Sequence, residues 1–253
     1  MTRIRHWITQ LPNYQYPITQ LPNYQYPITQ LPNYPPPHSN PMPIILLIRH
    51  GENDYVKKGR LAGRLPGVHL NEKGRKQAHM LAQALQNAPI KAVYSSPLDR
   101  TVETAQPIAE AKGLPVVTRD GLLEVDFGDW QDKTLKTLRR RKLWRIVQTR
   151  PSLMRFPQGE TFAQAQQRIV QELELLRKEH KPKDLIVCVS HSDLIKLAAA
   201  YYLGLSLDLF QRLMVAPASI TTLHLQADHA VLVNLNYSLD FSSQWKPRRR
   251  RRK

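Results

Sequence analysis

Ile44–Asn53 reads IILLIRHGEN. Its first half, Ile44–Ile48, is a continuous apolar run, and its second half, Arg49-His50-Gly51-Glu52-Asn53, is polar and charged. A half-exposed strand alternates apolar and polar residues, whereas an unbroken run of this length suits a strand buried on both faces. Such strands belong to mostly parallel sheets with helices on either side. In open sheets of that kind, ligands bind beyond the carboxyl ends of the strands. The polar half of the decapeptide is therefore where a site would begin.

The same pattern recurs downstream. Ile90–Tyr94 predicts a second strand, followed by Ser95-Ser96-Pro97-Leu98-Asp99-Arg100-Thr101. Val116–Thr118 predicts a third, followed by Leu122-Leu123-Glu124, and Leu185–Val189 a fourth, followed by Ser190-His191-Ser192-Asp193. Asn71–Asn87, Asp99–Lys112, Thr134–Gln148, Thr161–His180 and Leu194–Leu203 read as helices, two of them stopped by Gly113 and Gly204. Ile220–Leu225 and Ala230–Leu235 alternate around Ala227-Asp228, as an edge hairpin does. The expected fold class is α/β: a three-layer α/β/α sandwich with a mostly parallel central sheet and a C-terminal edge hairpin.

Four strand ends thus carry two His, two Arg and one Glu toward one rim. This set suits a phosphate ester. An anionic phosphoryl group needs fixed positive charge, and Arg49 and Arg100 can grip it with planar forks. Gly51 lets the backbone come close to the oxygens. A neutral imidazole is a competent nucleophile toward phosphorus, and nearby guanidinium groups lower its pKa and help keep it neutral. A second imidazole, protonated by the dianion beside it, stabilises the transferring group. The leaving alkoxide needs a proton, and Glu124 with a raised pKa can give it. Asp193, Asp126 and Glu52 are rival donors, and Glu52 is expected instead to brace Arg49 or a backbone donor. No cofactor or metal is expected: the chain has no H-E-x-x-H, no Asp cluster and no P-loop glycine-lysine motif.

RHGEN at Arg49–Asn53, SSPLDRTVETA at Ser95–Ala105, LLEVDFGDWQ at Leu122–Gln131 and SHSD at Ser190–Asp193 resemble the histidine phosphatase superfamily, which has the phosphoglycerate-mutase-like fold. The resemblance spans about Pro43–Leu235, in the right order and spacing. It implies Arg49, Arg100 and His191 as the phosphate pocket, His50 as the phosphorylated nucleophile and Glu124 as the proton donor, with Asn53 as a further phosphate contact. Arg60 and Arg64, on an expected loop Gly59–Gly67, are candidates for the rest of the substrate. The sequence departs from the mutases of the family. Val56 stands where they have Asn, Val125 and Phe127 follow Glu124, and Ala62-Gly63 replaces a Ser-Gly pair that meets the glycerate carboxylate. These losses favour hydrolysis of a small phosphate monoester over a phosphomutase reaction through the same His50.

The rest of the chain is less specific. The net charge is +17 over 253 residues, but Lys246–Lys253 holds seven cations and no acid, and 1–43 only Arg3 and Arg5. The middle is then moderately basic, so nucleic acid or an anionic surface is expected to be met only by the 246–253 tail. Residues 1–43 repeat WITQLPNYQY, PITQLPNYQY and PITQLPNYPP with a period of ten. That is short for a solenoid unit, and its prolines block helix and central strand, so a disordered extended arm is expected. The domain is then 44–245. A rival from another class is a non-catalytic docking protein using the arm and the tail. Lys133–Gly159 carries nine cations and no acid, densest at Arg139–Lys142, and reads as a basic lid helix or as a solvated face with Leu135, Leu138, Leu143 and Trp144 packed inward. One cysteine, Cys188, excludes a disulfide framework and fits the core. No apolar run is long enough for a membrane span, and Met1–Gln10 lacks the apolar stretch of a signal peptide, so a cytoplasmic location is expected.

Overall fold

The computed structural model describes residues 43–226 and 229–239. The proline-rich segment, but for Pro43, and the basic tail lie outside them, as do Ala227 and Asp228 of the expected hairpin turn. Six strands form one sheet: β1 (Ile44–Arg49), β2 (Ile90–Ser95), β3 (Val116–Thr118), β4 (Leu185–Ser190), β5 (Ile220–Leu225) and β6 (Ala230–Tyr237). Their order is β3-β2-β4-β1-β5-β6. The first four run parallel, and β5 and β6 add an antiparallel edge. The helices are α1 (Asp54–Lys58), α2 (Glu72–Ala84), α3 (Asp99–Glu110), α4 (Leu135–Leu138), α5 (Lys142–Thr149), α6 (Phe162–Glu179) and α7 (Ser192–Tyr202). The fold is the α/β sandwich that the apolar runs predict.

Alternate residues of β1 feed two separate cores. Ile45 and Leu47 join Ile186 and Cys188 of β4 under α6 and α7, against Ile169, Leu173, Leu197 and Ala198. Leu46 and Ile48 join Val187 and Val189 on the other face, against Leu81 of α2 and Ile108 of α3. This two-sided burial is why the runs are continuous rather than alternating. Each such Leu or Ile contributes about 1.5–3 kcal/mol when fully buried.

One expectation is corrected, and one helix was not anticipated. Residues 134–148 form not one helix but α4 and α5, with Arg141 extended (φ −81, ψ 143) at the start of the second. The break buries Leu138 and lets Trp144 stack on Trp130 with ring centroids 6.4 Å apart. Restarting the helix there also turns Leu143 outward, to 36% exposure. The loop predicted near the His50 turn, Gly59–Gly67, lies between helices as expected, but no helix was predicted before it, at α1. That helix has five residues and none of them is buried, so no periodicity announces it. Its start is set by Asn53, whose Oδ1 accepts from the Val56 N–H at 2.9 Å.

The turn after β1 is pressed against α2. A Cβ on Gly51 would lie 2.7 Å from the Gly74 carbonyl oxygen, and one on Gly74 would lie 2.0 Å from the Glu52 carbonyl oxygen. The Gly51 N–H donates to Thr104 Oγ1 at 3.0 Å and the Asn71 N–H to the Glu52 carbonyl at 3.1 Å. Ala ordinarily improves a helix interior by about 1 kcal/mol over Gly. Here Gly74→Ala should instead destabilise by about 2 kcal/mol or more, a drop in Tm of roughly 4–8 °C by thermal unfolding. An unchanged or higher Tm would show that the contact is not tight.

Candidate active site

β1 and β4 are adjacent, in register at Arg49 and Ser190. The next residues, His50 and His191, must therefore emerge side by side. The His50 N–H donates to the Ser190 carbonyl at 3.0 Å, and the two rings meet edge-on with centroids 5.3 Å apart. On the far side of β4, the Ser96 N–H donates to the Val189 carbonyl, which aligns the end of β2 with the end of β4. α3 follows directly and sets Arg100 in its first turn, 1% exposed. Glu124 arrives from the segment after β3, where Ser190 Oγ donates to the Leu122 carbonyl.

The hydrogen bonds fix the tautomers. His50 Nδ1 lies 2.7 Å from the Gly51 carbonyl, which can only accept, so Nδ1 carries the proton and Nε2 keeps its lone pair. His191 Nδ1 lies 3.3 Å from Arg100 Nη2, which can only donate. His191 Nε2–H then donates to Ser96 Oγ at 2.9 Å. Burial, followed by Arg100, holds both imidazoles well below their ordinary pKa, with Arg49 lowering His50 further. The guanidinium effect on His50 is thus real but second to desolvation.

Two guanidinium groups face this neutral pair. Arg100 Nη2 donates to the Gly63 carbonyl at 2.6 Å, and Arg49 Nη1 to the Val215 carbonyl at 2.8 Å. Arg49 Nε and Arg100 Nε and Nη1 are buried without a protein partner. Burial lowers the pKa of both, Arg100 to about 10, and both stay charged at neutral pH. Buried N–H groups of this kind form a strong anion site. Glu124 Oε1 accepts from the Val125 N–H at 2.9 Å, and its Oε2 lies 3.9 Å from His191 Nδ1. Burial first, and then the charge of Asp193, raises the Glu124 pKa to about 7.

Arg49, His50, Asn53, Arg60, Arg100 and Glu124 all line one cavity of about 330 Å³. Asn53 is fully buried; its Oδ1 caps α1, while its Nδ2 has no partner. Arg60 reaches the wall, but its Nη2 is held by Asp132 Oδ1 at 2.7 Å. Arg64 is not among the lining residues. Its Nε donates to the Glu124 carbonyl at 2.8 Å and its Nη2 to Glu160 Oε1 at 3.0 Å. Arg168 grips the same Glu124 carbonyl and the same Glu160. Among the rival donors, Asp193 pairs with Lys196 at 2.8 Å and Asp126 caps the Gly128 N–H. Glu52 does not brace Arg49: it takes Lys73 Nζ at 3.0 Å and Asn71 Nδ2 at 3.2 Å. The sequence reading missed Ser96, Gly63, Arg168 and Glu160. Ser96 could have been found, because it stands at a strand end within a quoted motif.

The family model of the histidine phosphatase superfamily (branch 1) matches residues 45–238. The chain belongs to the histidine phosphatase superfamily. Phosphoserine phosphatase 1 of Hydrogenobacter thermophilus is 34% identical over 76% of this chain and 91% of its own length. The 2,3-bisphosphoglycerate-dependent phosphoglycerate mutase of Thermoplasma acidophilum is 31% identical over 73% of this chain and 88% of its own. Among solved structures, a phosphoserine phosphatase of Entamoeba histolytica in complex with 3-phosphoglyceric acid superposes with a TM-score of 0.71. It is 28% identical and covers 78% of this chain and 98% of that one. This histidine phosphatase is therefore an enzyme rather than a docking protein; the arm and tail of that rival reading lie outside the described residues. Among the described residues, no helix is long and apolar enough to cross a membrane.

A raised carboxyl pKa makes stability depend on pH. Below the ordinary carboxyl range, Glu124 is protonated both folded and unfolded. Between that range and about 7 only the unfolded chain ionises it, so stability is lost as pH rises, and no more is lost above. Glu124→Gln removes this dependence. The variant should match the parent near pH 4 and melt several degrees above it at pH 8. A variant less stable than the parent at pH 8 would place the burial penalty elsewhere.

Proposed function

We propose that this enzyme hydrolyses phosphate monoesters of small molecules, without a metal, through a phosphohistidine at His50. The reading is carried by one observation: an uncharged imidazole with its Nε2 lone pair free lies beside two buried guanidinium groups and a carboxyl that titrates near neutrality. Arg49, Arg100 and Asn53 Nδ2 bind the phosphoryl oxygens. His50 Nε2 attacks phosphorus in line, and the bond to the ester oxygen breaks. Glu124 gives its proton to that oxygen, and an alcohol leaves. A water then attacks the phosphohistidine and loses its proton to Glu124. Inorganic phosphate departs, and His50 regains its lone pair. The bound dianion raises the pKa of His191, which takes a proton and stabilises the charge on the transferring group. Arg64 and Arg168 hold the Glu124 backbone.

Phosphomutase activity is the second reading, favoured by the similarity to the Thermoplasma mutase. Val56 and Ala62 on the cavity wall weigh against it, because neither offers a polar group to a second phosphoryl or carboxylate. Products formed in oxygen-labelled water separate the two. Hydrolysis places one label in each phosphate released, and a mutase returns the phosphoryl group unlabelled.

His50→Ala should abolish turnover of an aryl phosphate and the acid-labile phosphoprotein trapped on mixing. A variant keeping more than about a tenth of the parent rate would contradict a role expected to supply several kcal/mol. kcat/KM for an alkyl phosphate should fall as pH rises through about 7, where Glu124 loses the proton it must donate. Glu124→Gln should lower that rate by roughly 10²–10⁴. It should cost much less with p-nitrophenyl phosphate, whose leaving group needs no proton. Equal losses on the two esters would remove Glu124 as the acid.

A further inference from the structure

The cavity is larger than a phosphoryl group needs, and much of the rest of its wall is apolar. Tyr55 and Val56 come from α1, Leu61 from the loop after it, Leu135 from α4, and Trp144 and Val147 from α5. Phe127, Trp130, Phe156 and Phe162 also line the cavity, each at most 3% exposed. Val147 is buried, while Tyr55, Val56, Leu61, Leu135 and Trp144 are only partly buried. These five side chains therefore present apolar surface to whatever enters.

The charged groups on this part of the wall are already paired. Arg60 Nη2 and the Tyr55 hydroxyl both reach Asp132 Oδ1, at 2.7 and 3.0 Å. Asp193 holds Lys196 at 2.8 Å. Gln148 and Gln211 are uncharged, and Gln211 Oε1 already accepts from Lys196 Nζ. The carboxylate and ammonium of a phosphoserine, or the carboxylate of a phosphoglycerate, would lose water here and meet only charges that already hold a partner. An apolar group would gain by burial against Trp144 and Leu135.

We infer that the alcohol carried by this enzyme's substrate is uncharged and largely apolar, an aryl or arylalkyl group long enough to reach Trp144 from the phosphate on Arg49 and Arg100. This rests on the phosphatase reading above and narrows it to a substrate class other than those in the names of the similar phosphatases. Trp144 and Leu135 are then the residues that set specificity, and both stand on the two short helices that the broken 134–149 segment creates.

The test uses the full chain and four alkyl esters of similar leaving-group basicity: 3-phenylpropyl phosphate, ethyl phosphate, phosphoserine and 3-phosphoglycerate. The 3-phenylpropyl ester should have the highest kcat/KM, by tenfold or more over phosphoserine and 3-phosphoglycerate. Trp144→Ala should lower the ratio of 3-phenylpropyl to ethyl phosphate by about tenfold. Leu135→Ala, at a partly exposed position, should lower the same ratio by a smaller factor if Trp144→Ala fails to fold. A preference for either charged ester, or a ratio that neither variant moves, would overturn the inference and leave the phosphatase reading standing. Release of phosphate from none of the four would instead count against the phosphatase reading itself.

Discussion

Two guanidinium groups held out of water beside two uncharged imidazoles set the terms for the rest of this molecule. A buried cation is costly unless something offsets it. Here Arg49 and Arg100 each meet a backbone carbonyl but keep N–H groups without a protein partner. The same burial that strains them keeps His50 and His191 neutral. It also keeps Glu124 protonated at acidic pH. Desolvation, not any one pairwise contact, is the leading cause for all five groups.

Sheet topology supplies the geometry that makes this burial useful. β4 lies between β1 and β2, so the ends of three parallel strands release His50, His191 and Ser96 within a few ångströms of each other. Two helices, α3 and α7, start at those same ends. Their amino termini add the positive end of a backbone dipole to the side where an anion is wanted. The turn that carries His50 is fixed from behind by α2, through a contact that admits no side chain at either glycine.

Most of the sheet could be read from the chain because burial on both faces leaves an unbroken apolar run, as in Ile44–Ile48 and Leu185–Val189. The site residues were legible for a related reason: each follows one of those runs, where the topology of a parallel sheet collects ligand-binding groups. What could not be read was decided by tertiary contacts. α1 has no buried residue to mark a period. The break between α4 and α5 follows from Leu138 and Trp144 finding separate places in the core, which a helical pattern over 134–148 cannot announce. Arg64 stood close enough in sequence to His50 to suggest the substrate, yet its partner Glu160 is remote in the chain and only folding brings the two together. Glu52 was expected beside Arg49 for the same reason of proximity, and Lys73 and Asn71 on α2 claim it instead.

The break at Arg139–Arg141 has a consequence for how such an enzyme diversifies. The groups proposed to handle phosphorus stand mainly at the ends of β1 and β4 and in the first turn of α3, where a shift of any one would disturb the others. The side chains proposed to face the departing alcohol stand on three helices of five, four and eight residues, the last two joined by an exposed turn. Selection can rework that cap, shortening it or changing its side chains, while the machinery beneath keeps its alignment. One rigid reaction centre can in this way be fitted with many different mouths.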